Sequence, residues 1–248
     1  ARHPHLLPRM EAAGPGRAGP AGPEGPAAPP CRFQLLGRGI QVYTDDALGV
    51  AGVPWPAQEV AARVALRLLG GPEAGCGAVV DLSAGCGALS CALALELGPG
   101  RPVVATDLPE VLPQLRRTLA HNGGVATCRP LAWGDLPAAR ELLEAVGQPA
   151  GVSVVGCELA YWGGWDLFEE DLRAPLADTL DALLGQQGVG VLTYQVRNVP
   201  REASLLAMLR ERGLDVAREE PPPSKPEPEE GEVGVWRLRR AAPQPPAA

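Results

Sequence analysis

Residues 79–90 read V-V-D-L-S-A-G-C-G-A-L-S, and residues 103–107 read V-V-A-T-D after an intervening apolar segment. The two short apolar runs predict buried strands that end at or beside an acid, Asp81 in the first and Asp107 in the second. A glycine-rich turn follows Asp81, and the apolar segment after it predicts a helix. A strand, a glycine turn, a helix and a second strand ending in an acid are typical of a βαβ unit that binds a nucleoside.

The same alternation of strands and helices continues to about residue 212. Strands are expected at 78–82, 103–106, 126–131, 152–157 and 189–196, and helices at 88–97, 110–122, 138–146, 167–184 and 201–212. Repeated strand and helix units of this length predict parallel strands joined by right-handed crossovers, with helices on both faces of the sheet. The sequence therefore predicts an α/β fold with a doubly wound, Rossmann-like sheet.

Both ends of this alternating region depart from its pattern. Before it, two short strand-like runs flank G-R-G at residues 37–39, which predicts a β-hairpin, and residues 55–69 predict a helix. After it, residues 214–218 and 233–239 read as strands with no helix between them, so we expect an antiparallel hairpin at one edge of the sheet. The expected sheet has seven strands and is mostly parallel, with this antiparallel C-terminal hairpin.

The domain organisation follows from composition. Residues 1–30 are rich in Gly, Pro and Ala, and such a segment buries too little apolar surface to offset the entropy lost on ordering. We expect disorder there and a flexible tail at 241–248. Residues 31–240 are expected to form one domain, since a chain of this length can enclose a single core.

Charge and hydrophobicity exclude several classes of function. The chain has 248 residues, of which 46% are hydrophobic, and a formal net charge of −7. A negative balance argues against a nucleic-acid partner, which normally meets a basic face. No run of roughly 18 apolar residues is free of charge and proline, so no membrane span is expected. The first residues hold no apolar signal core, and we expect a location in the cytoplasm or the nucleus.

Cysteine and histidine positions argue against disulfides and a metal site. None of the six cysteines forms a C-x-x-C pair and several fall within predicted buried elements, so we interpret them as reduced thiols. His3 and His5 lie in the predicted tail and His121 stands alone, which gives no metal-ligand spacing.

The predicted ligand site lies beyond the carboxyl ends of the parallel strands. Ser83, Gly85 and Gly87 fall in the turn after the first strand, where glycines allow positive φ and close approach to a ligand. Asp81 is expected to hold turn amides or a ligand ammonium, and Asp107 to accept both ribose hydroxyls. Short glycine turns occur in many folds, and Asp107 is the feature that favours a nucleoside. Because neither G-x-G-x-x-G nor a P-loop lysine is present, the spacing favours S-adenosylmethionine over a dinucleotide.

Four further segments carry a resemblance to one enzyme family. They are L-G-V-A-G-V-P-W-P-A at 48–57, D-L-P-E at 107–110, L-A-W-G at 131–134 and E-L-A-Y at 158–161. In this order and spacing they resemble the seven-strand protein-lysine methyltransferases of the methyltransferase-like family. Members of that group modify heat-shock chaperones, AAA-type ATPases and translation elongation factors. The resemblance covers about residues 32–240.

The resemblance implies roles for individual residues. In the cofactor site, Trp55 matches a tryptophan that borders the cofactor, and Ser83-Ala84-Gly85 matches the glycine turn. Asp107 matches the acid that binds the ribose, Trp133 the tryptophan beside the adenine, and Cys157 a small residue that lines the same pocket. Tryptophans are also common packing residues, which is the alternative for both. Glu158 and Tyr161 match the family's D-x-x-Y signature, which faces the target lysine. Two positions depart from the family pattern, since Ser83 replaces a glycine and Glu158 replaces an aspartate.

These roles predict a protein-lysine N-methyltransferase that uses S-adenosyl-L-methionine and releases S-adenosyl-L-homocysteine. Glu158 is expected to orient the incoming ammonium and to help relay its proton, while Tyr161 shapes the channel. The alternative for Glu158 is a structural acid that caps nearby amides. Tyr194 and Arg197, in T-Y-Q-V-R-N at 193–198, are further candidates for substrate contact.

Residues 161–165, Y-W-G-G-W, are unusual in a chain with only 4% aromatic residues. Trp162 in this segment is a third candidate for substrate contact, because exposed aromatics suit a partner surface or a cage around a methylated ammonium. Packing over the start of a helix is an equally good explanation.

Four other functions remain open at the level of sequence. The cofactor half of the site would look much the same in a methyltransferase acting on arginine, on another protein side chain or on a small molecule. T-Y-Q-V-R-N has a faint likeness to a relative assigned to histone arginine. A non-catalytic interaction module that keeps the fold is also compatible with Ser83 and Glu158. We expect a monomer with a protein substrate, for which a chaperone, an AAA ATPase or an elongation factor is the candidate.

Overall fold

The computed structural model describes residues 29–70, 77–148, 150–160, 171–219 and 232–241. Nearly all of the two predicted tails and most of the acidic linker after residue 218 therefore lie outside the described residues. The strands are, in chain order, β1 (Cys31–Leu35), β2 (Arg38–Val42), β3 (Val79–Leu82), β4 (Val103–Asp107), β5 (Thr127–Pro130), β6 (Ser153–Cys157), β7 (Gly190–Gln195), β8 (Leu214–Arg218) and β9 (Val233–Arg240). The helices are α1 (Ala57–Leu69), α2 (Ala88–Leu97), α3 (Leu112–His121), α4 (Leu136–Ala145), α5 (Arg173–Leu183) and α6 (Val199–Glu211), with a 3-10 segment at Asp46–Gly52.

The central sheet has seven strands in the order β5-β4-β3-β6-β7-β9-β8. The first five strands of this order pair in parallel, and β9 pairs antiparallel with both β7 and β8. After β3 the chain adds β4 and β5 on one side, and it then returns to place β6 on the other side of β3. This reversal creates a crevice at the carboxyl ends of β3 and β6. The predicted doubly wound sheet and its antiparallel C-terminal hairpin are confirmed.

Helices cover both faces of the sheet, three to a face. Apolar residues of α1, α2 and α3 pack on one face, and those of α4, α5 and α6 pack on the other. Helix α2 is buried from Ala88 to Ala94 because the β1–β2 hairpin packs against a surface that the sheet does not cover. None of the helices in the described ranges combines the length and the apolar character that crossing a membrane requires.

Several helices begin at residues other than those expected, and side-chain caps decide the start of two of them, α4 and α6. Helix α4 begins two residues earlier than expected, since the Asp135 carboxylate accepts the Ala138 amide at 3.0 Å. Helix α6 begins at Val199, one residue after its N-cap Asn198. The helix expected at 167–184 begins at Arg173: residues 171 and 172 are not helical, and residues 161–170 lie outside the described part of the chain.

The N-terminal hairpin brings the following segment over the carboxyl edge of the sheet, beside the turn that follows β3. The backbone amides of Gln41 and Tyr43 donate to Asn122, the residue after α3, and to Thr118 of α3, each at 3.1 Å. The 3-10 segment lies close to the turn after β3: a β-carbon added at Gly85 would lie 3.0 Å from the backbone of the 3-10 segment. The predicted N-terminal hairpin and helix are confirmed.

Candidate cofactor and acceptor site

The carboxyl ends of three adjacent strands bring the predicted site residues to one edge. The register pairs Leu82 of β3 with Thr106 of β4 and with Gly156 of β6. The residues that follow each of these positions, Ser83 and Asp107 among them, therefore leave the sheet side by side. In a doubly wound sheet this edge is where a ligand binds.

The turn after β3 is held in place by the neighbouring strand β4. Its backbone has positive φ at Ser83 (57°), Gly85 (54°) and Gly87 (84°). The Ala84 amide donates to the Thr106 carbonyl at 2.8 Å, and the Gly85 amide donates to Oδ2 of Asp107 at 2.7 Å. These bonds fix the curved backbone of the turn at the carboxyl edge of the sheet.

Asp107 has the chemistry expected of a ribose acceptor. Its two oxygens accept the Gly85 amide and, at 2.8 Å, the Leu108 amide, and the residue is 6% exposed. Burial raises the pKa of this carboxyl, and the two amide bonds oppose the increase. A carboxylate has about four lone-pair positions, so two remain for the hydroxyls of a ribose.

The structure shows a contact of Asp81 that the sequence did not reveal. The side chain is 1% exposed, and its Oδ2 accepts the hydroxyl of Ser90 in α2 at 2.5 Å. This bond joins β3 to α2, and the role expected for Asp81 in the cofactor site stays a prediction. Burial raises the pKa of Asp81 from 3.8 to about 7, and the Ser90 bond limits the increase. The sequence showed an acid at a strand end, but the buried hydroxyl that binds it was not anticipated.

Trp133 reaches the same turn from the end of β5. Its indole Nε1 donates to the Ser83 hydroxyl oxygen at 3.0 Å. The next residue, Gly134, has φ of 85° and donates its amide to Thr179 of α5 at 2.8 Å. The tryptophan is half-buried, so its ring is held by the protein while part of it stays accessible.

Two other predicted cofactor residues lie at the borders of this edge. Trp55 lies between the 3-10 segment and α1, is half-buried, and donates its indole N–H to the Val50 carbonyl at 2.9 Å. Cys157 ends β6 and packs against the core on the α1 face. Burial raises the pKa of its thiol well above the ordinary value, so the thiol is neutral at physiological pH.

Glu158 is held by contacts that the sequence did not reveal. It follows β6 with φ of 59° and is 4% exposed. Oε2 of its carboxylate forms an ion pair with Nη1 of Arg197 at 2.7 Å, and Oε1 accepts the Gln195 amide at 3.1 Å. The acid thus caps the end of β7, as the structural alternative expected, and the structure brings two predicted site residues, Glu158 and Arg197, into contact.

Arg197 is positioned in turn by Glu202, a residue that the sequence analysis missed. Glu202 is 4% exposed and accepts the Arg197 amide at 2.8 Å and the Asn198 amide at 3.0 Å. An acid in the first turn after an Asn N-cap is the sequence signal that could have indicated it.

Of the remaining residues predicted near the substrate, Tyr194 lies within the described part of the chain. Tyr194 is 2% exposed and packs in the core on the α6 face, where burial raises the pKa of its phenol. A ring so placed offers no surface to a substrate, so the prediction of direct contact does not fit this structure. Tyr161 and Trp162 lie outside the described residues.

One sequence comparison decides the family. A model described as lysine methyltransferase matches residues 36–212, which are 177 of the 248 residues. The matched interval runs from the β1–β2 turn to the end of α6 and includes every strand-end residue described above. The chain belongs to the lysine methyltransferase family. The family and the fold are those of S-adenosylmethionine-dependent methyltransferases, and they imply S-adenosyl-L-methionine as the cofactor. No curated protein matches the chain in sequence.

Solved structures resemble this methyltransferase in fold. An O-methyltransferase family protein from Burkholderia thailandensis is 14% identical with a TM-score of 0.51, over 75% of this chain and 59% of its own. The chain thus spans less than two thirds of that protein. A ribosomal protein L11 methylase from Lactobacillus delbrueckii subsp. bulgaricus is 16% identical with a TM-score of 0.50, over 77% of this chain and 81% of its own.

The described residues fit the cofactor. The turn at Ser83–Gly87 exposes backbone on the ligand edge, and Asp107 retains acceptor positions for hydroxyls. Trp133 presents part of an aromatic ring beside them, as a purine base requires. When bound, the cofactor supplies a methyl group on a positively charged sulfur.

Proposed function

We propose that this methyltransferase transfers methyl groups to the lysine side chain of a protein substrate. The observation that carries the proposal is the buried carboxylate of Glu158, one strand away from the turn after β3. The family match and the resemblance to the D-x-x-Y signature support the same acceptor. In this proposal Asp107 binds the ribose, Trp133 lies beside the adenine, and Trp55, Cys157 and the Ser83–Gly85 turn complete the cofactor site.

The reaction requires a neutral amine. A lysine side chain has an ordinary pKa of about 10.4, so it must lose a proton before its lone pair can form the new N–C bond. That bond forms as the S–C bond of the cofactor breaks, which leaves S-adenosylhomocysteine. Glu158 orients the ammonium by accepting its hydrogen bonds, and helps to relay its proton towards solvent. Tyr161 is proposed to shape the channel.

The Glu158–Arg197 ion pair sets the electrostatics of this acceptor site. Arg197 already neutralises the carboxylate, so an incoming ammonium must share Glu158 with a second cation. A nearby positive charge disfavours the protonated form of an amine. Arg197 therefore offsets the preference for the protonated amine that the Glu158 carboxylate creates, while Glu158 still directs the nitrogen. The side chain of Arg197 is 23% exposed, which leaves room for it to move as the substrate enters.

The same ion pair favours one alternative acceptor. Glu158 binds the guanidinium of Arg197 at 2.7 Å, which shows that a guanidinium fits against this carboxylate. A protein arginine is therefore the second candidate. The resemblance makes chaperones, AAA ATPases and elongation factors the first proteins to test. The proposal also includes a monomeric enzyme in the cytoplasm or the nucleus.

The test is methyl transfer from isotopically labelled S-adenosylmethionine to a panel of those proteins, with the modified residue identified by tandem mass spectrometry. We expect methyl-lysine, and a loss of at least about 100-fold in turnover for Glu158→Ala with cofactor affinity unchanged. Glu141→Ala, which removes an exposed carboxylate of α4, is the matched control. Methyl-arginine would establish the alternative acceptor. Full turnover by Glu158→Ala would refute its assigned role, and a folded enzyme that modifies no protein would favour an interaction module.

A further inference from the structure

Ser83 stands where the resemblance predicts a glycine, and its backbone still has the conformation that glycine favours. Its φ is 57°, a region that side chains with a β-carbon disfavour. A serine whose side chain made no contact would add backbone strain to the turn, with no interaction to offset it. Its hydroxyl, however, accepts the Trp133 indole N–H at 3.0 Å. A glycine cannot make this bond.

The bond joins two strand ends that are not neighbours in the sheet. Ser83 follows β3 and Trp133 follows β5, with β4 between them. Asp107, at the end of β4, holds the same turn through the Gly85 amide at 2.7 Å. The backbone beside the indole is held at Gly134 by Thr179 of α5. The indole is therefore fixed from both sides, by its backbone and by its ring nitrogen.

We propose that Ser83 is a positioning residue whose hydroxyl holds Trp133 as a wall of the adenosine site before the cofactor binds. This inference rests on the proposed placement of Trp133 beside the adenine. Fixing a ring in its binding orientation lowers the entropy lost when the ligand arrives. The Ser83 hydroxyl holds the Trp133 ring from the same turn that Asp107 binds through the Gly85 amide.

The test is a double-mutant cycle on S-adenosylhomocysteine binding, measured by calorimetry. Ser83→Ala removes the hydroxyl, and Trp133→Phe removes the indole N–H while retaining an aromatic ring. Each change is expected to weaken binding about three- to tenfold, the usual effect of one hydrogen bond. Both changes remove the same hydrogen bond. The Kd of the double variant should therefore exceed the higher of the two single-variant Kd values by no more than about twofold. Additive losses would overturn the proposal.

Ser83→Gly separates positioning from backbone strain. Glycine relieves the strain at positive φ but lacks the hydroxyl, so the proposal expects weaker binding of S-adenosylhomocysteine together with an unchanged or higher Tm. Binding by Ser83→Gly as tight as that of the unaltered enzyme would overturn the proposal. Ser204→Ala, on α6, is the matched control for loss of a serine hydroxyl and should change neither quantity.

Fluorescence gives a readout that a merely structural role would not change. The emission of Trp133 is isolated among the five tryptophans by subtracting the spectrum of Trp133→Phe. In Ser83→Ala this difference spectrum is expected to shift to the red before any ligand is added, because the released ring meets more water. An unaltered spectrum would contradict the proposal. Failure of the unaltered enzyme to bind S-adenosylhomocysteine would overturn both the cofactor site and this inference, whereas normal binding with additive losses overturns this inference alone.

Discussion

Replacing Asp81 by Asn is expected to make the enzyme more stable at neutral pH. The carboxylate is 1% exposed, and burial raises its pKa from 3.8 to about 7. This difference of roughly 3 pH units corresponds to a free-energy penalty of up to about 4 kcal/mol for keeping the charge inside the fold. Asparagine has no charge, and its carbonyl oxygen can still accept the Ser90 hydroxyl. An unpaired amide N–H₂ costs roughly 1–3 kcal/mol, so the net gain above pH 7 is about 1–3 kcal/mol.

The pH dependence identifies the responsible group. The folded protein retains the Asp81 proton to higher pH than the unfolded chain does. The favourable contribution of the protonated acid is therefore complete below the unfolded pKa of 3.8 and is lost progressively as the pH rises to about 7. The stability of Asp81→Asn relative to the unaltered enzyme should accordingly rise by about 2 kcal/mol between pH 5 and pH 7 and then level off.

Urea unfolding at a series of pH values measures this difference directly. Ser90→Ala is a second arm: without the hydroxyl the folded pKa of Asp81 rises further, and the loss of stability should extend above pH 7. Affinity for S-adenosylhomocysteine should change less than about threefold in Asp81→Asn, because the carboxylate binds α2. Parallel stability curves for the two proteins would refute the raised pKa. A loss of S-adenosylhomocysteine binding in a stable Asp81→Asn protein would place Asp81 in the cofactor site.

Two further changes test other contacts by denaturant unfolding. Gly87→Ala should lower the free energy of unfolding by about 2–4 kcal/mol, because its β-carbon would lie 2.5 Å from Leu115 and the backbone φ is 84°. Gly124→Ala is the control: its φ is 63° with open space around it, so it should lower the free energy of unfolding by only about 1 kcal/mol. Equal losses in the two variants would contradict the packing argument. Arg197→Gln should cost about 2–3 kcal/mol at pH 7 by leaving the buried Glu158 carboxylate without its counter-charge, and an unchanged stability would show that the ion pair contributes nothing.

The parts of the fold that depend on local pattern were predictable from the sequence. Short apolar runs alternating with helical segments predicted the five parallel strands, and the acid Asp107 lies at the end of β4 as expected. Helix boundaries were less accurate because single caps decide them, as Asp135 does for α4. The apolar pattern contained no information on which side chain would cap.

Contacts between distant residues could not be predicted in the same way. The Ser83–Trp133 bond joins residues 50 positions apart, and the Glu158–Arg197 pair joins residues 39 positions apart. Both depend on the order of strands in the sheet, which brings the strand ends together. The direction of the Asp81 side chain depends similarly on a hydroxyl one helix turn into α2. A motif identifies which strand ends matter, whereas packing decides what each side chain binds.

Calorimetric titration with S-adenosylhomocysteine, on the unaltered enzyme and on Asp107→Ala, tests most directly the claim that the carboxyl edge of the sheet is the cofactor site. We expect micromolar binding by the unaltered enzyme and a loss of at least about thirtyfold in the variant, since a charged acceptor of two ribose hydroxyls is removed. Asp215→Ala, at an exposed position of the edge strand β8, is the matched control and should bind normally. A well-folded enzyme that binds no S-adenosylhomocysteine, or an Asp107→Ala variant that binds it normally, would contradict the account.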